Sequence, residues 1–336
     1  MNANERIINM KKILKPVLVL TLSLFLAAPS NAQDIKKVAQ TGLQFLKVDM
    51  LARGAAMGGA LTMTGSGASA LFYNPAGLAD IQSGADFVAS NTAWIAGIGY
   101  NAAAVGIRVG TIGTFGVSAI IADYGDDIIG TRVNNANDAG YEEVPIGDVG
   151  SQAIGLSYAR KLTDRFQVGG QIKFASQALG SNLMPTGETQ NNKVSGVAAD
   201  FGTVFYPGWK SLKFGMSIRN YSNQFEYENA AFELPLTFTI GTSVNIFDVI
   251  GGPSGSSLLL AVDAIHPRDY TERIHAGLEY SLGSLLAVRA GYKTNYDEES
   301  LSFGFGVNLN VVRVDYSYSQ LGVFDGISRI TIGGSF

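Results

Sequence analysis

The sequence predicts an all-β fold, a transmembrane antiparallel β-barrel of about 14 strands with an N-terminal hatch segment in the lumen. Three observations carry that prediction. Only 15% of the 336 residues are charged and 41 are glycine, against roughly 25% charged and ~7% glycine in an ordinary soluble domain. From Gly84 onward the chain repeats one pattern, an alternating run of apolar and small or polar residues followed by a turn. The runs can be counted as fourteen, an even number as single-chain bacterial barrels require.

The N-terminus reads as an export signal over residues 1–32. Lys11, Lys12 and Lys15 precede an apolar run from Val17 to Ala28, and Ser30 to Ala32 offers small residues for cleavage, which would leave Gln33 first. Met10-Lys11-Lys12 is a more natural start than Met1. The apolar run is too short to span a bilayer, and the chain has no other stretch of ~18 continuous apolar residues. A membrane location therefore requires strands. With no cysteine in an exported chain, stability has to come from closure and packing rather than disulfides. The net charge of −4 and pI of 5.3 give no basic footprint, which excludes nucleic acid as a partner.

Residues 33–83 lack sustained alternation and are read as a hatch or plug. Leu43, Phe45, Leu46 and Leu51 have helical spacing, and the small residues that follow suit close packing inside a barrel. In "LFYNPAGLAD" (Leu71 to Asp80), Pro75 fixes its own φ and pushes Asn74 to an extended conformation. Asn74 can accept from the backbone two residues on, Gly77 supplies a permissive position and Leu78 returns an apolar anchor. The candidate hatch or gate residues are Arg53, Gly54, Met57, Gly58, Asn74, Pro75, Gly77 and Leu78. They serve either as hatch architecture, with Arg53 paired to a lumen carboxylate, or as a gate whose displacement opens a path.

Residues 84–336 are the barrel. In "VRVDYSYS", Val312, Val314, Tyr316 and Tyr318 share one face and Arg313, Asp315, Ser317 and Ser319 the other. "LSFGFGVNLN" and "LTFTIGTSVN" split likewise, with Phe303, Phe305 and Ile240 opposing Gly304, Gly306 and Gly241. The second face is mainly Gly, Ser, Thr, Asn and Ala with scattered charges, as in a crowded lumen, where a soluble sandwich would carry Lys and Glu. Short turns such as Leu162 to Arg165 and Ser281 to Ser284 alternate with longer polar stretches such as Tyr124 to Val149 and Tyr221 to Glu233. Phe247 to Ser257 is long for the short-turn end.

Asp263, His266, Arg268, Asp269, Glu272 and Arg273 form the densest charge cluster, read as an outer-loop partner site or a mutually neutralising network. His266 and His275, without Cys, make a poor metal site. No G-x-S-x-G or comparable nucleophile setting is present, and the Gly106 to Gly116 stretch has no G-K-[ST], so neither an enzyme nor a cofactor is expected. Trp94, Tyr206, Trp209, Tyr280, Tyr292, Tyr296 and Tyr318 read as an interfacial girdle.

"LARGAAMGGA" (Leu51 to Ala60) followed by "ALFYNPAGLA" (Ala70 to Ala79) resembles the N-terminal signature of FadL-type outer-membrane barrels. With "AVDAIHPRDYTERIHAGLEYSL" (Ala261 to Leu282), "VRAGYKTNYDEESLSFGFGV" (Val288 to Val307) and "VDYSYSQLG" (Val314 to Gly322), the mature chain resembles the PorV/PorQ branch more closely. The resemblance implies a fourteen-stranded barrel with a hatch, in the outer membrane of a Gram-negative bacterium. It further implies a type IX secretion component that receives the C-terminal sorting domain of exported cargo, with secretion-system subunits as partners. The alternative it implies is a FadL-like channel for hydrophobic small molecules.

Overall fold

A computed structural model describes residues 41–125, 128–183, 188–227 and 230–336. The export signal over residues 1–32, the start at Met10 and the first hatch residues 33–40 lie outside the described residues.

The chain closes into an antiparallel barrel of 14 strands. In chain order the strands are β1 (Ala85–Ala93), β2 (Gly99–Val109), β3 (Gly113–Asp123), β4 (Ile129–Val133), β5 (Tyr141–Pro145), β6 (Val149–Thr163), β7 (Phe166–Leu183), β8 (Thr189–Phe205) and β9 (Lys213–Ser222). They continue as β10 (Phe225–Tyr227), β11 (Ala230–Phe232), β12 (Thr237–Asn245), β13 (Ser256–Pro267), β14 (Arg273–Leu282), β15 (Leu286–Lys293), β16 (Glu299–Leu309), β17 (Val312–Leu321) and β18 (Phe324–Ser335). β1 pairs with both β2 and β18, so the sheet has no free edge. β4 with β5 and β10 with β11 form two hairpins apart from the barrel. Both fall in stretches that the sequence marks only as polar loops, because strands of three to five residues are too short to show alternation.

The seam joins the two ends of the barrel. Ala85 and Phe336 exchange backbone hydrogen bonds, and the rings of Phe87 and Phe336 stack at 5.6 Å. Connections at this end are short, as at Asn310, which takes φ 64° between β16 and β17. The longest connection here holds a short helix, Ile246–Ile250, capped by Asn245 through Phe247 N–H. The longer connections lie at the other end, which makes the seam end periplasmic and the opposite end outer.

Alternation sorts the two faces as the sequence implies. Ile107, Val117, Leu156, Ile172, Val197, Val288, Phe303 and Phe305 are exposed on the outside, a row of apolar side chains that needs lipid. The inner face departs from expectation: besides Ser, Thr and Gly it buries Lys173, Asp200, Asp263, Arg273, His275, Glu279, Arg289, Lys293, Asp315 and Arg329. Such charges require partners across the lumen. The protein is expected to show heat-modifiable gel migration and a β-rich circular dichroism spectrum in detergent. A monomer soluble without detergent contradicts the exposed apolar belt.

Residues 41–83 occupy the lumen. They form 3-10 turns at Gln44–Lys47, Gly67–Phe72 and Pro75–Asp80 and one short α-helix, Ala52–Ala56. The helical spacing around Leu43 to Leu51 yields one 3-10 turn, Gln44–Lys47, and no α-helix. Leu43 itself adopts φ 51°, and Gly58 and Gly59 take φ 64° and 79° just past the Ala52–Ala56 helix, conformations that interrupt helical hydrogen bonding.

Candidate functional site

The inserted segment crosses the lumen from end to end. Thr41 Oγ1 donates to Asp269 in the outer β13–β14 loop at 2.7 Å, and Tyr206 in the periplasmic β8–β9 turn donates to Asp80 at 3.1 Å. Between these anchors lies the interface of the segment with the barrel wall.

Close approach comes first. The small-residue helix Ala52–Ala56 and the turn after it press on Gly277, Gly291 and Gly304 of β14, β15 and β16. At Gly291 a side chain would meet the backbone of Met57 and Gly58, so the wall is flat there because the segment's main chain lies against it. Gly54 faces the Tyr73 hydroxyl, and Met57 packs on Gly277.

Charge fixes the position. Arg53 donates to Glu279 from Nε at 2.8 Å and from Nη2 at 3.0 Å, and from Nη1 to Thr64 C=O at 2.9 Å. Glu279 also accepts from Arg289 Nε at 2.5 Å, and Arg289 Nη1 donates to Asp315 at 2.8 Å. The register explains this ladder, since Glu279 sits directly across from Arg289 in the β14–β15 pair. Nearer the outer end, Lys293 donates to Asp49 at 2.8 Å and Glu299 at 2.6 Å, while Arg329 donates to Asp49 C=O at 2.8 Å.

Burial opposes ionisation of Asp49, but Lys293 and Arg329 outweigh it and hold the carboxyl at about 2, below its ordinary 3.8. A carboxylate whose folded pKa is depressed stabilises fully above its unfolded pKa and loses that contribution as pH falls through the folded one. The segment is therefore expected to loosen on acidification from about pH 4 toward pH 2. Trp94, with Arg329 5.7 Å from its ring, reports this in a Trp209→Phe background. The acid transition in its fluorescence is expected to be lost in Asp49→Asn.

The turn at Asn74 is the third tie. Asn74 Oδ1 accepts from Ala76 N at 3.1 Å, the expected Asx geometry, and Nδ2 donates to Thr62 C=O at 3.2 Å and to Thr203 C=O of β8 at 3.1 Å. Pro75 opens the 3-10 turn and Leu78 is fully buried. Gly77 has a different role from the one expected. Its φ is not left-handed; a side chain there would meet Gly65 C=O and the Ala70 Cβ.

The outer charge cluster does not come together. Asp263 lies deep in the lumen and accepts from Thr62 N at 3.0 Å. His266 pairs with exposed Glu272 at 3.1 Å, Arg268 with Glu233 at 2.9 Å, and Asp269 with Lys47 at 2.9 Å. Arg273 turns inward and packs between the Tyr270 and Tyr296 rings. Spacing along the sequence could not reveal this, because a strand end sends successive side chains to opposite faces.

Above the segment, at the outer end, is a cavity of 510 Å³ lined by Phe45, Lys47, Tyr73, Trp94, Tyr100, Tyr124, Arg219, Arg273, His275 and Tyr296 among others. Trp94 and Tyr296 therefore leave the interfacial girdle expected of them: Trp94 packs edge-on against buried Tyr100 at 5.7 Å, and Tyr296 bonds His275 at 2.9 Å. Tyr280, Tyr292 and Tyr318 do face outward. Among the described residues there is no cluster of His, Cys, Asp and Glu able to hold a metal.

Solved structures share this architecture. The CymD monoaromatic hydrocarbon channel superimposes with a TM-score of 0.55 at 15% identity, covering 86% of this chain and 98% of its own. The P. putida toluene transporter TodX gives 0.52 at 13% identity, covering 85% and 98%. The protein is an outer-membrane β-barrel. The closed sheet and its apolar exterior fit that location, and the likeness to both structures is one of fold. No family model and no curated protein matches the chain.

Proposed function

We propose that the protein is a FadL-like channel for hydrophobic small molecules, with residues 1–32 as export signal, 33–83 as hatch and 84–336 as barrel. The observation that carries this reading is the lumen itself. A segment held by discrete polar ties fills the barrel beneath an aromatic-lined outer cavity. A cavity of that volume is in the range of small-molecule sites, and this one sets ring faces beside charged and polar side chains. CymD and TodX, whose fold it shares, are described as a monoaromatic hydrocarbon channel and a toluene transporter. Arg53, Gly54, Met57, Gly58, Asn74, Pro75, Gly77 and Leu78 would then be the residues whose release opens the path. The test is uptake of a labelled arene into liposomes containing the purified protein. Uptake above that of protein-free liposomes is expected, and equality contradicts the channel.

The second reading is a PorV/PorQ-type secretion component, supported by the resemblance of Leu51 to Ala79 and of the C-terminal third. The outer loops favour it less, since His266, Arg268 and Asp269 are paired within the chain. Deleting the gene distinguishes the two. Periplasmic retention of proteins carrying a C-terminal sorting domain favours secretion, and an unchanged surface proteome favours the channel.

A further inference from the structure

The charges around the outer cavity do not balance. Its lining holds five cationic side chains, Lys47, Arg219, Arg273, Lys293 and Arg329, against two anionic ones, Asp49 and Glu299. Lys47 is neutralised by Asp269 just outside the lining, and Lys293 by both lining carboxylates. Arg329 is held by the Asp49 carbonyl and Ser319. Among the described residues, no carboxylate lies within ion-pair distance of Arg219 or Arg273. Arg219 reaches only the Leu46 carbonyl, at 3.2 Å.

Arg273 is the more telling of the two. It is 7% exposed, and its guanidinium lies 4.3 Å from the Tyr270 ring centre and 3.8 Å from that of Tyr296. Stacking on rings leaves the edge of the fork as the free hydrogen-bonding direction. Its Nε has no partner, nor do Arg219 Nε and the buried Nδ1 of His275, whose other nitrogen is taken by Tyr296. Three unpartnered buried nitrogens on side chains that line one cavity are unusual, because a buried polar group without a partner is costly. A planar anionic ligand relieves that cost, and a carboxylate matches a guanidinium fork in two parallel hydrogen bonds. The remaining lining, with Trp94, Tyr100, Tyr124 and Phe45, supplies ring faces.

We propose that this cavity is a binding site for aromatic carboxylic acids, held by Arg273 with Arg219 and His275 completing the polar side and the aromatic residues packing the rings. This deepens the channel reading and rests on it for the solute's onward passage. It departs from a hydrocarbon solute: a bare arene would leave both arginines unpaired.

The test is equilibrium binding to the purified protein in detergent, with 2-naphthoate, naphthalene and decanoate as probes. The naphthoate is expected to bind about tenfold or more tighter than naphthalene, the scale of a hydrogen bond to a charged group, and tighter than decanoate, which keeps the carboxylate but offers no ring to pack on Trp94, Tyr100 and Tyr124. Arg273→Gln should remove most of the advantage over naphthalene, and Arg273→Lys, which keeps the charge but not the fork, should fall between. Naphthalene binding as tightly as naphthoate overturns the acid requirement. Decanoate doing so overturns the aromatic one, and unchanged naphthoate binding in Arg273→Gln overturns the role of Arg273. Heat-modifiable migration confirms that the variants fold, and the three-probe comparison on the wild-type protein stands without them. Liposome uptake keeps the two ideas separate: selective naphthoate binding without passage of any solute sinks the channel and leaves the site.

Discussion

Glu279→Ala is expected to unseat the inserted segment at a cost of about 3–5 kcal/mol, the range for removing one partner from a buried ion pair. Arg53 and Arg289 both donate to this carboxylate. Arg289 would keep Asp315, but Arg53 would keep only the Thr64 carbonyl, so a guanidinium with only a fifth of its side chain exposed would be left without a counter-charge. The consequence should appear at the segment before the barrel, because the fourteen-strand hydrogen-bond ring does not depend on the side chain. Planar bilayers should therefore record raised and noisier conductance while the barrel still shows heat-modifiable migration. Replacing both Arg53 and Glu279 with methionine should recover much of the loss, since no charge is then left unpaired. Conductance indistinguishable from wild type in Glu279→Ala would mean that the ladder does not hold the segment.

Gly291→Val is expected to have a comparable effect by a different route. A side chain at Gly291 points at the main chain of Met57 and Gly58, and main chain cannot swing aside as a flexible side-chain end can. Gly58 is further constrained by its left-handed φ of 64° and by donating to Ser302 Oγ at 3.2 Å. Overpacking of this kind costs about 1–3 kcal/mol, and the direct way to relieve it is to lift the turn off the wall. Proteolysis or cysteine labelling in the Ala52 to Ala60 region should rise sharply in Gly291→Val. Gly99→Val serves as the control, because its added side chain meets nothing within contact distance. Equal labelling in the two variants would contradict the tight seating described here.

The barrel was largely legible because period-2 alternation is a local signal. Phe303 and Phe305 outward, Gly304 and Gly306 inward follow from four consecutive residues. The Asn74-Pro75 turn was legible for the same reason, since its Asx hydrogen bond spans two residues. What the sequence concealed depends on residues far apart in the chain. Arg53 meets Glu279 across 226 positions, and the inner-face charges look scattered because each strand contributes only one or two. Trp94 and Tyr296 look like interfacial aromatics by position alone; only closure of the barrel shows that they turn into the lumen. Conversely, the contiguous cluster from Asp263 to Arg273 looks like one site and is divided among the lumen, the loop and the inserted segment.

The central claim is that solute passes through the lumen when the inserted segment moves. A reversible cross-link tests it most directly. The chain has no cysteine, and a Cβ at Gly241 on β12 would lie 3.1 Å from that of Thr62, within reach of a disulfide once the Asp263 carboxylate, 2.5 Å from the added atom, swings aside. Arene uptake into liposomes carrying Thr62→Cys/Gly241→Cys is predicted to fall to the protein-free level when oxidised and to return on reduction. Uptake at the wild-type rate with the disulfide intact would contradict the account.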